Sequence, residues 1–143
     1  ALVQDGHRLD FAGLNHLMNR VASALQRDGL SPGDIVAICA KTSMAYAAAF
    51  LGALRAGVAV APLAPSSTPQ SIASMVADCD AKLLFLDETV ARALAAVELP
   101  ARVDQVSLDG TANRQSFATW LAPWGDEARI LREAARFTVA RKA

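Results

Sequence analysis

The two glycine-rich signatures that cradle phosphates, GxGxxG and GxxxxGK[ST], are both missing from this 143-residue chain. It therefore carries no written-in backbone cradle with a lysine to offset charge. A surplus of charge is missing too. Lys+Arg and Asp+Glu each number 14, and a balanced chain has no electrostatic footprint for nucleic acid or an anionic membrane. Cysteine is scarce. Cys39 and Cys79 are the two present; they form no CxxC pair and read as structural thiols in a reduced, cytoplasmic setting. No apolar run reaches the ~18 residues that read as a membrane span. No basic-then-apolar opening marks a secretory signal. No HxxxH or His/Cys cluster announces a metal, and no GxSxG announces a nucleophile elbow. His7, beside a predicted hairpin, and His16, on the polar side of the first helix, read as solvated. No catalytic residue is assigned.

What is abundant is apolar side chain, 53% of the chain, enough for a core in one domain of this length. Asp5-Gly6 between short runs predicts a hairpin. Phe11, Leu14, Leu17, Met18, Val21 and Leu25 recur at helical spacing, with Gly29 placed to close that helix in a left-handed cap. Ile35–Ala40 reads as a buried strand. The helix Met44–Arg55 follows, capped by Thr42 or Ser43 and apolar almost all round, a pattern of helices buried in a larger body. Val58–Leu63 reads as a second buried-type strand and Lys82–Asp87 as a third. Between them Thr68 caps a helix with Pro69 at its first position. Thr89–Leu99 reads as another helix, Val103–Leu108 as a fourth strand, and Phe117, Trp120 and Leu121 as a short helix. Strand and helix alternate, so the expected fold is α/β, a largely parallel sheet with flanking helices. Composition shifts near Pro123-Trp124-Gly125. The expected organisation is an α/β unit over 1–125 and an atypical charged segment over 126–143, whose Ile130, Leu131, Ala134 and Phe137 would share a helical face.

Candidate sites are few. Ser66, Ser67 and Thr68 stand before a helix, whose free N–H groups attract anions. They are weak cofactor-binding candidates, because two prolines remove donors and neither glycine nor lysine is present; the residues read better as a strand-to-helix joint. Asp78, Asp80, Asp87 and Glu88 read as solvated end-of-element carboxylates. Arg20, Arg27 and Arg55 read as ordinary helix-surface charges. Trp120 and Trp124 read as a lid over the core rather than a stacking platform.

Residues 9–87 also resemble a family. LDFAGL is similar to an "LTYAEL" opening, and RDGLSPGDIVAI to a "G-(V/L)-x-(P/K)-G-D-x-V-A" turn and strand. KTSMAYAAAFLGALRAGVAVAPL is similar to an "AFLG-x-L-(K/R)-AG" segment, and PSSTPQSIASMVADCDAKLLFLD to "LTPEELAYILEDSGAKVLI". The set resembles the N-terminal subdomain of AMP-forming acyl- or aryl-CoA synthetases, in the adenylate-forming superfamily that includes luciferases and peptide-synthetase adenylation domains. The resemblance implies an incomplete N-terminal subdomain. Its parent would be an acid–thiol ligase that uses ATP and Mg2+ to form an acyl-adenylate, then passes a fatty or aromatic acyl group to CoA. The family's "(S/T)(S/T)G(S/T)(S/T)GxPKG" loop and C-terminal lysine have no counterpart here. Where some CoA ligases carry "NPR", this chain has Ala64-Pro65-Ser66. The resemblance thus implies a scaffold, not catalytic alone, that holds no cofactor by itself and partners the remainder of the parent ligase or a second polypeptide. The alternative is a stand-alone α/β binding or interaction module without catalysis.

Overall fold

The molecule is described by a computed structural model covering residues 2–4 and 7–9 as backbone, and 11–109 and 115–121 in full. Strands whose side chains are buried on both faces need helices on both sides, and these supply them. A hairpin of β1 (Leu2–Gln4) and β2 (His7–Leu9) pairs antiparallel with Gln4 opposite His7. Two residues thus separate the strands, as an Asp-Gly turn requires. Helix α1 (Phe11–Arg27) follows. Then come β3 (Ile35–Cys39), α2 (Met44–Arg55), β4 (Ala59–Pro62), α3 (Pro69–Asp78), β5 (Leu83–Leu86), α4 (Glu88–Ala93), β6 (Asp104–Ser107), β7 (Gln115–Ser116) and α5 (Phe117–Leu121). The five later strands form one sheet, every pair parallel, in the order β4-β3-β5-β6-β7.

Period-two alternation divides the core. Val36, Ile38, Leu83, Phe85 and Val106 face α1, α2 and α5. Ala37, Cys39, Leu84 and Leu86 face α3 and α4. On the first side, Trp120 is 1% exposed and meets Phe85 edge-on at 5.3 Å and Phe117 at 6.1 Å. It is core, as expected of a lid; Trp124 lies outside the described residues, as does the segment 126–143.

Local chemistry sets the boundaries. Ser43 Oγ accepts from Tyr46 N at 3.1 Å and Thr68 Oγ1 from Ser71 N at 3.2 Å, each satisfying a free helical N–H. Gly29 closes α1 at φ 86°, a conformation that favours glycine. Gly52 has a different reason. A Cβ there would stand 2.5 Å from Val21 Cβ, so its absence lets α1 and α2 pack closely.

Two expectations are corrected. The fourth helix is shorter than Thr89–Leu99: α4 ends at Ala93, a 3-10 turn covers Leu94–Ala96, and Val97 is extended. Pro100 disfavours helical backbone at Leu99, so no helix here can include Leu99. Its cap is Asp87. Strand β4 is an edge strand with partly exposed faces, not a buried one. Pro62, which has no N–H for a central ladder, is the residue that assigns it there.

Candidate functional site at the carboxyl edge of the sheet

In an open parallel sheet, ligands sit beyond the carboxyl ends of the strands where strand order reverses. Here that point lies between β3 and β5, because the chain moves from β3 outward to β4 and then returns past β3 to β5. Donors at such a point are loop and helix-start N–H groups, and here acidic side chains already take them. Asp87 is 6% exposed. Its Oδ1 accepts from Val90 N in the first turn of α4, and its Oδ2 from Lys41 N in the loop after β3, both at 2.9 Å. Asp109, after β6, repeats the arrangement. Its Oδ2 accepts from Glu88 N and its Oδ1 from Ser107 Oγ, both at 3.0 Å. Two carboxylates thus tie three successive loops together, and they occupy the amides a phosphate would need. The reading of Asp87 as a solvated carboxylate is corrected: its cap geometry matches, but its reach to Lys41 crosses 46 positions and has no local signal. Glu88 does behave as an exposed helix carboxylate, paired with Arg92 one turn on. Asp80 pairs with Arg102 on the surface.

Cys39, at the end of β3, is fully buried. Burial first, and the Asp87 charge second, push its thiol up to about 11, so it stays protonated and non-nucleophilic at neutral pH. Cys79 Sγ donates to Val76 O at 3.5 Å on the last turn of α3. Both thiols are structural. No group of three or more His, Cys, Asp or Glu that would hold a metal occurs among the described residues.

Ser66, Ser67 and Thr68 reach the same carboxyl edge, in the loop after β4. Thr68 is engaged as the cap of α3, and Ser67 N donates to Ala64 O in a turn. The joint reading describes this geometry. At this edge the amides of Lys41, Glu88 and Val90 are held by Asp87 and Asp109.

An open concavity of about 590 Å³ lies beside this edge, between α1, the start of α2 and the ends of β6 and β7. Leu17, Leu108, Phe117 and Leu121 line it, with Arg20 and Asp109 as its charged members. Arg20 is therefore no plain surface charge. Its Nη2 donates to Leu121 O at 3.4 Å, while its buried Nε has no partner. Arg27 and Arg55 are corrected likewise. Arg27 Nη1 donates to Trp120 O at 2.9 Å and its guanidinium lies over that indole, whose Nε1 donates to Asp28. Arg55 Nη1 donates to Asn15 and Asn19 Oδ1, both at 2.7 Å. The three arginines pin α1 to its neighbours.

A family model described as "AMP-binding enzyme" matches residues 1–134. Bacitracin synthase 1 of Bacillus licheniformis is 33% identical over 96 residues, which are 67% of this chain and 2% of that protein. The fatty acid–[acyl-carrier-protein] ligase ScoC of Streptomyces coeruleorubidus is 30% identical over 122 residues, 85% of this chain and 22% of that one. Among solved structures, the Brucella canis acyl-CoA synthetase superposes with a TM-score of 0.69 at 28% identity, over 81% of this chain and 22% of that chain. The chain thus spans less than a quarter of the length of each of these proteins. No described helix is long and apolar enough to cross a membrane. The chain belongs to the AMP-binding enzyme family, the adenylate-forming enzymes, and matches their N-terminal portion.

Proposed function

We propose that this chain is the scaffold segment of an AMP-forming acid–thiol ligase. The parent would join a carboxylic acid to AMP from ATP and Mg2+, then pass the acyl group to a thiol. In this reading residues 1–125 are the ligase subdomain and 126–143 a separate segment. The chain works by holding its loops rigid, not by contacting reacting atoms. The observation that carries the scaffold role is the filling of the switch-point amides by Asp87 and Asp109. An amide committed to a buried carboxylate, as at Asp87, is freed for a phosphate only by leaving that carboxylate buried without its donor, at large cost. Ser66 and Ser67 remain the candidates for a peripheral contact with nucleotide or CoA phosphate, being at this edge with side chains not used as caps.

The acceptor thiol is CoA in the first reading, supported by the likeness to an acyl-CoA synthetase. A carrier-protein thiol is the second, favoured by ScoC, whose name specifies an acyl-carrier protein and which matches 85% of the chain. ATP–pyrophosphate exchange with the chain alone, over a panel of fatty, aromatic and amino acids, tests the scaffold role. Exchange at background is expected; turnover above it would falsify the scaffold reading.

A further inference from the structure

The walls of the open concavity between α1 and the ends of β6 and β7 are mostly apolar, and Leu17 and Leu108 are only half-buried there. Arg20 is the cation among the lining residues. One arm of its guanidinium donates to Leu121 O, while its buried Nε has no partner among the described residues. A charged N–H kept from both water and an acceptor is costly, and a carboxylate is the acceptor that relieves it best. Asp109, the other charged lining residue, directs its oxygens to Glu88 N and Ser107 Oγ. An occupant that fits this place presents apolar side chains along one face and a carboxylate at one end.

The stretch that follows α5 has this pattern in its sequence, and it starts at the concavity. Helix α5 runs to Leu121, itself a lining residue. Pro123 disfavours helical backbone at Ala122, so the chain must turn there. Beyond the turn, Glu127, Ile130, Leu131, Ala134 and Phe137 stand at i, i+3, i+4, i+7 and i+10, an apolar helical stripe headed by a carboxylate. Asp126 and Glu127 come first, and Arg132, Arg136, Arg141 and Lys142 follow, the order that a helix dipole favours. Reach is assured as well. Glu127 is six positions after Leu121, so at most about 22 Å of extended chain separates them. Leu121 O is in turn 3.4 Å from Arg20 Nη2. So short a tether holds the carboxylate near Arg20 at an effective concentration of about millimolar, which a free ligand or a separate chain must match.

We propose that residues 126–137 form a helix whose Ile130, Leu131, Ala134 and Phe137 seat in the concavity between α1, α5 and β6, with the Glu127 carboxylate accepting from Arg20 Nε. The segment thereby covers an apolar wall of its own chain, and this contact needs no part of the parent enzyme. The test places a photoreactive benzoylphenylalanine singly at Ala118, an exposed lining residue, in the polypeptide as its gene encodes it. The contrast position is Ser74, exposed on α3 across the sheet. Isotope-labelled and unlabelled chains are mixed before irradiation, so that mass spectrometry separates links within one chain from links between copies. Position 118 is expected to capture peptides of 126–143 from its own chain, several-fold more than position 74 does. Capture solely of a second copy, of the concavity's own walls or of any other sequence, or of nothing, overturns the proposal. Should the Ala118 variant melt early, the probe moves to Phe137, where a ring is already present, and the expected capture is peptides carrying Leu17, Leu108 or Phe117. The ion pair has its own readout. Glu127→Gln is expected to lower the urea midpoint of the parent chain and to have less than half that effect in an Arg20→Gln background. Equal effects in the two backgrounds overturn the pairing, and where Arg20→Gln does not fold the cross-link alone decides.

Discussion

Replacing Gly52 by alanine sets a gain against a loss, and the packing decides between them. In an open helix alanine is better than glycine by roughly 1 kcal/mol. In α2 the new Cβ would stand 2.5 Å from Val21 Cβ, 2.6 Å from Val21 Cγ1 and 2.9 Å from the Met18 carbonyl oxygen. Carbon atoms rest at about 3.5–4.0 Å, so Val21 or the whole of α1 must move by about an ångström. Neither moves freely. Val21 is fully buried with its Cβ fixed to the backbone, and the Met18 oxygen is itself backbone. Overpacking of this kind costs about 1–3 kcal/mol, occasionally more. It also parts two helices whose contact is fixed by the bonds of Arg55 to Asn15 and Asn19. The loss exceeds the gain, and Gly52→Ala is destabilising by about 1–2 kcal/mol net. Urea unfolding followed by tryptophan fluorescence reads this, since Trp120 sits in the same core. With a slope of ~2 kcal/mol per molar, the midpoint falls by roughly 0.5–1 M. Adding Val21→Ala recovers only part of the shift, because it removes Cγ1 and leaves Cβ and the Met18 oxygen in place. A midpoint equal to or above that of the parent chain would refute the close-packing argument.

Asp87→Ala leaves Lys41 N and Val90 N without their carboxylate and is expected to lower stability by about 2–4 kcal/mol, a lost cap plus a second orphaned donor. Asp87→Asn, which keeps one acceptor oxygen, should lose about half as much in the same urea titration; equal losses would show that the two bonds are not separate. The Ser31 amide first, and Lys82 second, hold the Asp34 carboxyl below its ordinary 3.8. Because the folded value is the lower one, this stabilisation is present above 3.8 and disappears as pH falls through the lowered value. The melting-temperature gap between the parent chain and Asp34→Asn should therefore be open at neutral pH and close in acid; a gap independent of pH contradicts the assignment. Iodoacetamide at pH 8 should label Cys79 and spare Cys39 until urea unfolds the chain, as peptide mapping reads directly; early labelling of Cys39 contradicts its burial and raised thiol.

What was legible in the sequence was what is local. The caps at Ser43 and Thr68, the proline that opens α3 and the glycine that closes α1 each act within one helical turn, so residue type and spacing reveal them. The apolar runs reveal the strands of the sheet through β6 for the same reason. Strand β7, two residues long, has no run to read. The edge position of β4 is written in Pro62, but an apolar run outweighs one proline. The arginines escape such a reading because a guanidinium on a helix looks the same in sequence whether water or a carbonyl across the domain receives its protons. Arg20 and Arg27 find Leu121 and Trp120 across separations of 101 and 93 residues.

The same distinction explains why the carboxyl edge was the least legible part of the chain. Asp87 looks like a strand end and Asp109 like a turn residue, and each satisfies those local roles. Their longer-range bonds, which Asp87 accepts from Lys41 N and Asp109 from Glu88 N, arise because parallel register brings the strand ends level: Cys39 lies opposite Leu86, and Leu86 opposite Ser107. Register is a property of the whole sheet, set by which apolar residues face which helix layer. A carboxylate one step beyond Leu86 is thereby delivered to the loop beyond Cys39, and one beyond Leu108 to the start of α4. The anion-holding amides of this edge are claimed by the act of folding, before any ligand arrives. In the proposed reading, the enzyme that uses this wall grips its nucleotide with donors from another part of the polypeptide. In that reading the wall's share is the fixed position of three loops, of which Asp87→Ala would loosen those after β3 and β5 and a substitution at Ser66 would loosen none.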